Sequence, residues 1–151
     1  MRDRIEKLRT LVLLRHRDVE RRTRDVAEAA QVLAAAEQAV RAAEHACDAA
    51  RLRLERALGD RVRDPADGQA HLFCQCCEAG VGEADAALLA CEEDVAQAGA
   101  VAVQARRALM RAQVRFDALS VALRRAQLGH RQARERRAQD DLPHRGALSW
   151  A

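Results

Sequence analysis

The sequence has 151 residues, enough for one domain or one simple supersecondary unit. Apolar residues make up 49% of it, with alanine the commonest, whereas aromatic residues make up only 2%. A globular core takes much of its buried area from large aromatic side chains, so this composition argues against an ordinary globular domain and is typical of coiled coils. The formal net charge of +3 does not by itself indicate a class of partner.

The first half of the chain carries a seven-residue repeat. Two columns of this repeat begin at Ile5 and Leu8, and both are apolar or cysteine at every step except Arg15 and Arg22. Apolar a and d positions sustained over about eight heptads predict a coiled-coil helix, which we place at residues 1–58. The a column is Ile5, Val12, Val19, Val26, Leu33, Val40, Cys47 and Leu54, and the d column is Leu8, Arg15, Arg22, Ala29, Ala36, Ala43, Ala50 and Ala57.

Residues 59–68 interrupt the repeat and are predicted to form a turn. Gly59 is expected to end the first helix in the left-handed conformation that glycine tolerates. Asp64 followed by Pro65 is expected to supply the N-cap and the first position of the next helix.

The same repeat returns in the second half, in columns that begin at Cys77 and Val81. It predicts a second coiled-coil helix at residues 69–142, followed by a tail at residues 143–151. The a column is Val81, Leu88, Val95, Ala102, Leu109, Phe116, Leu123 and His130, and the d column is Cys77, Ala84, Cys91, Ala98, Ala105, Ala112, Leu119, Ala126 and Ala133.

Two helices of similar length joined by a short break predict an all-α fold, a long antiparallel two-helix coiled-coil hairpin. In such a pair an a position faces a d position. The frame allows facing residue numbers to sum to either 131 or 124, and the sequence leaves both registers open. A compact helical bundle and a parallel dimer of long helices are the alternative folds, although a bundle would need a wider apolar face and more breaks.

Charge is unevenly distributed along the chain. Residues 1–24 carry nine basic and four acidic side chains, residues 124–145 carry seven and three, and residues 71–99 carry six acidic side chains and no basic one. A hairpin would therefore have a basic open end and an acidic turn end that contact different partners. The alternative is chance clustering on solvated helix faces. Nucleic-acid binding is disfavoured, because no aromatic residues interleave with the basic ones and no binding motif is present.

The sequence contains no pattern that predicts catalysis or a bound cofactor. His71, Cys74, Cys76 and Cys77 are the one cluster with metal-binding side chains, but their spacing matches no standard zinc pattern. Cys74 and Cys77 would lie on the packed face, where cysteine behaves as a small apolar residue. We therefore predict a non-enzymatic protein with no metal site.

The expected location is the cytoplasm. No run of eighteen apolar residues is present to span a membrane, and the apolar patch at residues 11–14 is too short for the core of a secretory signal. Five cysteines would stay reduced there.

The opening Ile5-Glu-Lys-Leu8-Arg9-Thr-Leu-Val12-Leu-Leu-Arg15-His-Arg17 runs into alanine-rich heptads that hold Glu37 and Glu44, and an arginine-rich helix returns. In these features the chain resembles the FliJ/YscO family, the central stalk proteins of type III secretion systems. The resemblance covers almost the whole chain.

The resemblance implies a stalk whose paired terminal helices contact and stimulate the hexameric secretion ATPase and link it to the export gate protein. Such a stalk would be cytoplasmic and peripheral to the inner-membrane secretion apparatus. From the residues themselves we expect no nucleic-acid partner, no membrane insertion and weak self-association. The alternative is a generic cytoplasmic coiled-coil scaffold or adaptor with no secretion role. The expected ATPase contacts are Arg2, Arg4, Lys7, Arg9, Arg124, Arg125, Arg131 and Arg134.

Overall fold

A computed structural model describes residues 2–140. These residues form two long α-helices packed against each other and no strand: α1 is Arg2–Arg63 and α2 is Gly68–Asp140. The predicted all-α helical hairpin is thereby confirmed. Met1, the last two residues of the predicted second helix and the predicted tail at residues 143–151 lie outside the described residues.

The heptad frame identifies the packed face of both helices. Every a and d position in the predicted columns is buried or half-buried. Cys74, one heptad before Val81, extends the a column of α2 and is fully buried. Of the eight buried apolar residues, seven are alanine or cysteine. The buried apolar residues are Ile5, Ala29, Cys47, Ala57, Cys74, Ala98, Ala102 and Ala112.

Contacts between the helices select the register whose facing residues sum to 131. The rings of His16 and Phe116 lie 5.6 Å apart between centroids, and Asp85 is near enough to the Cys47 thiol to raise its pKa. Both pairs lie one residue from this register and about two helical turns from the alternative sum of 124. The register sets Ala57 against Cys74, and these side chains are only 1% and 0% exposed.

The first helix continues beyond its predicted end. We expected residues 1–58 to be helical and Gly59 to be left-handed, but α1 runs through to Arg63 and no described glycine has a positive φ. The packed seam continues past Gly59, because the side chains of Leu58 and Arg61 are still half-buried. This packing favours continued helix through Arg63. The turn is correspondingly shorter than the predicted residues 59–68.

The second helix is capped by Asp67, so the prediction that Asp64 and Pro65 begin it is wrong. The Asp67 Oδ1 atom accepts a hydrogen bond of 2.9 Å from the backbone N–H of Gln69, and the Asp67 carbonyl accepts one of 3.2 Å from the N–H of His71. These are the bonds of an N-cap. Pro65 instead lies in a turn closed by the Asp67 N–H and the Asp64 carbonyl at 3.3 Å, at a position where its fixed φ is favourable.

The hairpin divides into two compact units. The described part of the first, which we call the terminal unit, consists of residues 2–23 and 107–140. The second, which we call the turn unit, consists of residues 24–106 and contains the turn.

Candidate functional site

The terminal unit is strongly basic. Its described residues include 17 lysine and arginine side chains against seven aspartate and glutamate side chains. No charged side chain among residues 2–140 is buried, so these charges are presented at the surface. The unit therefore has an electropositive surface.

All eight predicted ATPase contacts lie in the terminal unit, and all eight are exposed. None of them forms an ion pair within 4.0 Å of another residue in the range 2–140. Arg9 of α1 lines one groove with Arg131 and Arg134 of α2, and Ile5 and the acidic Glu135 lie at the same groove. The structure thus brings three of the eight residues together from both helices, and the other five do not line this groove.

A second basic groove in the terminal unit was missed by the sequence analysis. Arg22, Arg111 and Arg115 line it together with Asp18. Asp18 accepts a hydrogen bond of 2.8 Å from Arg21, and this bond holds the pKa of its carboxyl below the ordinary value, aided by the positive charges of Arg21 and Arg22. The d position of Arg22 in the heptad frame could have indicated this groove, because a charged residue at a seam position must reach the seam edge.

The turn unit has the opposite charge balance. It carries 15 acidic and eight basic side chains, and no lysine or arginine occurs between Arg63 and Arg106. Arg51 of α1 pairs with Asp85 of α2 at 3.0 Å. The acidic side chains Glu92, Glu93 and Asp94 are exposed.

Cysteines of the turn unit pack mainly against the seam, as their heptad positions predict. Cys47 is 2% exposed and Cys74 is fully buried, whereas Cys76 is exposed. Burial raises the pKa of the Cys47 thiol, and the nearby Asp85 raises it further. Within residues 2–140, no group of three or more metal-binding side chains is arranged to hold an ion.

Apolar side chains also lie exposed outside the seam. On α2 a stripe of such residues lies at the b and f positions of the heptad frame, which follow a and d by one and two residues. Three of its members occupy successive f positions and are therefore seven residues apart. The sequence analysis considered only the a and d columns and missed this stripe. Its members, which we call the α2 stripe, are Met110, Val114, Val121 and Leu128.

Comparison with known proteins identifies no relative. No protein-family model matches the chain, and neither a curated protein nor a solved structure matches it. In the described part of the chain, neither helix has a stretch long and apolar enough to cross a membrane.

Proposed function

We propose that this protein is a non-enzymatic stalk of a type III secretion system that contacts and stimulates the hexameric export ATPase and links it to the export gate. The observation that carries the proposal is the grouping of Arg9, Arg131 and Arg134 around one groove of the terminal unit. Arg9 is far in sequence from Arg131 and Arg134, and the hairpin brings it beside them.

Cationic side chains that have no acidic partner repel each other when they are brought close together. The terminal unit keeps such a cluster although it lacks ion pairs from Arg9, Arg131 or Arg134 to any of residues 2–140. An anionic protein surface would relieve this repulsion on binding. Arginine suits the contact, because its planar guanidinium can donate two hydrogen bonds to one carboxylate and its charge persists at any physiological pH.

The turn unit fits the second half of the proposal, the link to the export gate. Its excess of seven acidic side chains, 15 against eight, would repel the acidic surface that the terminal unit is proposed to bind. The same excess would favour a basic surface. Opposite charge balances therefore allow the two units to select different partners.

The test compares two triple charge reversals that differ only in place. The first replaces Arg9, Arg131 and Arg134 with Glu. The matched control replaces three exposed arginines of the turn unit with Glu: Arg41, Arg53 and Arg56. Each variant and the unaltered chain are titrated against the purified secretion ATPase, and ATP hydrolysis and binding are both measured.

The first variant should lose stimulation of the ATPase and bind about 10-fold or more weakly, since three exposed pairs contribute about 0.5–1 kcal/mol each. The control should bind within about threefold of the unaltered chain, because its three arginines lie in the turn unit and not at the proposed contact. On this scale each 1.4 kcal/mol is tenfold in affinity. Both should keep their helical circular dichroism. Binding of the unaltered chain should weaken as salt rises from about 0.05 to 0.3 M, since exposed pairs are screened over this range.

Loss of binding in the control alone would show that the ATPase contact lies in the turn unit, so the proposed contact in the terminal unit would be wrong. If neither variant changes binding or stimulation, the stalk proposal fails, and a generic coiled-coil scaffold without a secretion role becomes the better hypothesis.

A further inference from the structure

The turn unit has an apolar groove between its two helices. Val32 of α1 and Val101 of α2 line this groove, and they are 60% and 56% exposed. Ala29 and Ala98 line its buried side and are only 7% and 8% exposed. Both helices of a single unit therefore build the groove, with large apolar surface left in contact with water.

Small and apolar residues continue from this groove along the same flank of the turn unit. The flank consists of the c and g positions of the heptad frame, which follow a by two residues and d by three. In residues 25–49 and 80–104 these positions hold 16 residues, of which ten are apolar or glycine, four are acidic, two are glutamine and none is basic. All of them except Asp25 and Gly80 are exposed. We call these 16 residues the g flank.

The opposite flank, at the e positions, is charged. In the same two ranges four of the six e residues are acidic, against two of the eight g residues. Just beyond the first range, Arg51 at an e position pairs with Asp85 at 3.0 Å. Charged e and g positions are typical of two-stranded coiled coils, whereas apolar residues at a third column beside a and d are typical of helices in larger bundles. The turn unit therefore carries, on one flank only, the pattern of helices that pack against a third helix.

The side chains of the g flank define the chemistry of a helix that fits it. Its apolar members are alanine and valine, so the partner has to supply the large apolar side chains. Asp25 and Glu28 line the groove itself, and Asp94 is exposed farther along the flank toward the turn. With no basic residue among the 16, these carboxylates favour a basic partner and repel the same flank of a second copy.

We propose that the g flank of the turn unit binds one amphipathic helix of another protein, which carries large apolar side chains on one face and basic side chains beside them. Such helices bind in apolar grooves through anchors spaced three, four and seven residues apart. The anchors pack between Val32 and Val101, and the basic side chains meet Glu28 and Asp94. The proposal does not rest on the secretion role, because neither the ATPase nor the terminal unit takes part in this contact.

The probe is a synthetic helix of about 24 residues, the length that matches residues 25–49 at about 1.5 Å per residue. It has leucine at a and d and lysine at e and g, where like charges disfavour its self-association. A twin with glutamate in place of lysine is the charge control. Fluorescence anisotropy of each labelled peptide is measured as the full chain is added. The basic peptide should bind, and the acidic twin should bind at least about 10-fold more weakly.

Replacement of the groove valines tests the site of binding. Val32→Arg with Val101→Arg should weaken binding of the basic peptide about 10-fold or more, because it removes apolar contact and adds positive charge. The matched control is Val62→Arg with Val103→Arg, since these valines belong to the same two helices, lie outside the g flank and are 76% and 44% exposed. The control adds the same charge and should bind within about threefold of the unaltered chain.

Reversal of the acidic side chains tests the charge preference. Glu28→Lys with Asp94→Lys should weaken binding of the basic peptide about 10-fold and strengthen binding of the acidic twin. The matched control, Glu37→Lys with Glu92→Lys, makes the same change in net charge at two exposed e positions. It should change the affinity for either peptide by no more than about threefold. Circular dichroism should show all four variants to be as helical as the unaltered chain.

Failure of the basic peptide to bind overturns the proposal, and so does equal binding of its acidic twin. Equal weakening by the two valine pairs, with helicity retained, would mean that the peptide binds through net charge and not in the groove. If the chain forms a dimer that Val32→Arg with Val101→Arg abolishes, a second copy is the occupant and the proposed partner is wrong. Loss of ATPase stimulation without any change in peptide binding would count against the secretion role alone.

Discussion

Replacement of Cys74 with Ser tests whether the cysteine cluster is packing or chemistry. The Cys74 side chain is fully buried in the seam opposite Ala57, so a hydroxyl placed there would be removed from water. Burial of a polar group without a full hydrogen bond costs about 1–3 kcal/mol in proteins. Serine on a helix can bond to the carbonyl four residues earlier, which places the expected cost toward the lower end of that range.

Cys76 is the matched control, because it lies two residues away on the same helix and is exposed. Cys76→Ser should change the free energy of unfolding by no more than about 0.5 kcal/mol. For a chain of this size 1 kcal/mol shifts the melting temperature by about 2–4 °C, so Cys74→Ser should melt about 2–12 °C lower. Thermal unfolding followed by circular dichroism at 222 nm, at equal concentration and under reducing conditions, makes the comparison.

Equal melting temperatures for the two variants would refute the burial argument for Cys74. Stoichiometric zinc in the purified protein, absent after Cys74, Cys76 and Cys77 are all replaced with Ala, would show that the cluster binds metal. Binding of the proposed partners should survive that triple replacement if the cysteines are packing residues.

Two further predictions concern local energetics. Asp67→Ala should lower the free energy of unfolding by about 0.5–2 kcal/mol in a denaturant titration, because it removes the N-cap of α2; Asp64→Ala, whose side chain makes no such bond, should cost less, and the reverse order would show that the cap is misplaced. The pKa of the Cys47 thiol is raised by burial, so the unfolded chain loses this proton first and the free energy of unfolding should fall as pH rises above about 8.5. Cys47→Ala should lose less stability over the same pH range, and an identical pH dependence would contradict this assignment.

The heptad period was sufficient to predict the packed face of both helices. Because a residue seven positions on returns to nearly the same side of a helix, the frame that starts at Ile5 and Leu8 needs no knowledge of the partner helix. The register was not determined by the period, since a shift of seven residues preserves every a and d position. Contacts such as that of His16 with Phe116 were needed to select it.

The turn shows the limit of local sequence patterns. Gly59 is a residue type common at helix ends, yet the helix continues past it, where Leu58 and Arg61 remain packed. Pro65 is suited both to the first turn of a helix and to a tight turn, and the sequence does not choose between them. Asp67, which the sequence analysis did not consider as a cap, is of the same residue type as Asp64, and only the hydrogen bond that its side chain accepts distinguishes the two.

The grooves and the α2 stripe required the structure for a different reason. Arg9 and Arg134 are near opposite ends of the chain, and their common groove depends on the fold-back of α2. The stripe at Val114, Val121 and Leu128 was visible as a seven-residue spacing, but an exposed column can be distinguished from a packed one only after the seam is assigned.

The short turn also affects how a newly made chain folds. Ala57 and Cys74 come together by closing a short loop, whereas the groove at Ile5 and Arg134 requires nearly the longest loop in the protein. Loop closure costs more entropy as the loop lengthens, so we expect pairing to begin beside the turn and to zip toward the chain ends. During synthesis on the ribosome, the basic amino-terminal segment therefore has no partner helix to pack against until nearly all of α2 has emerged.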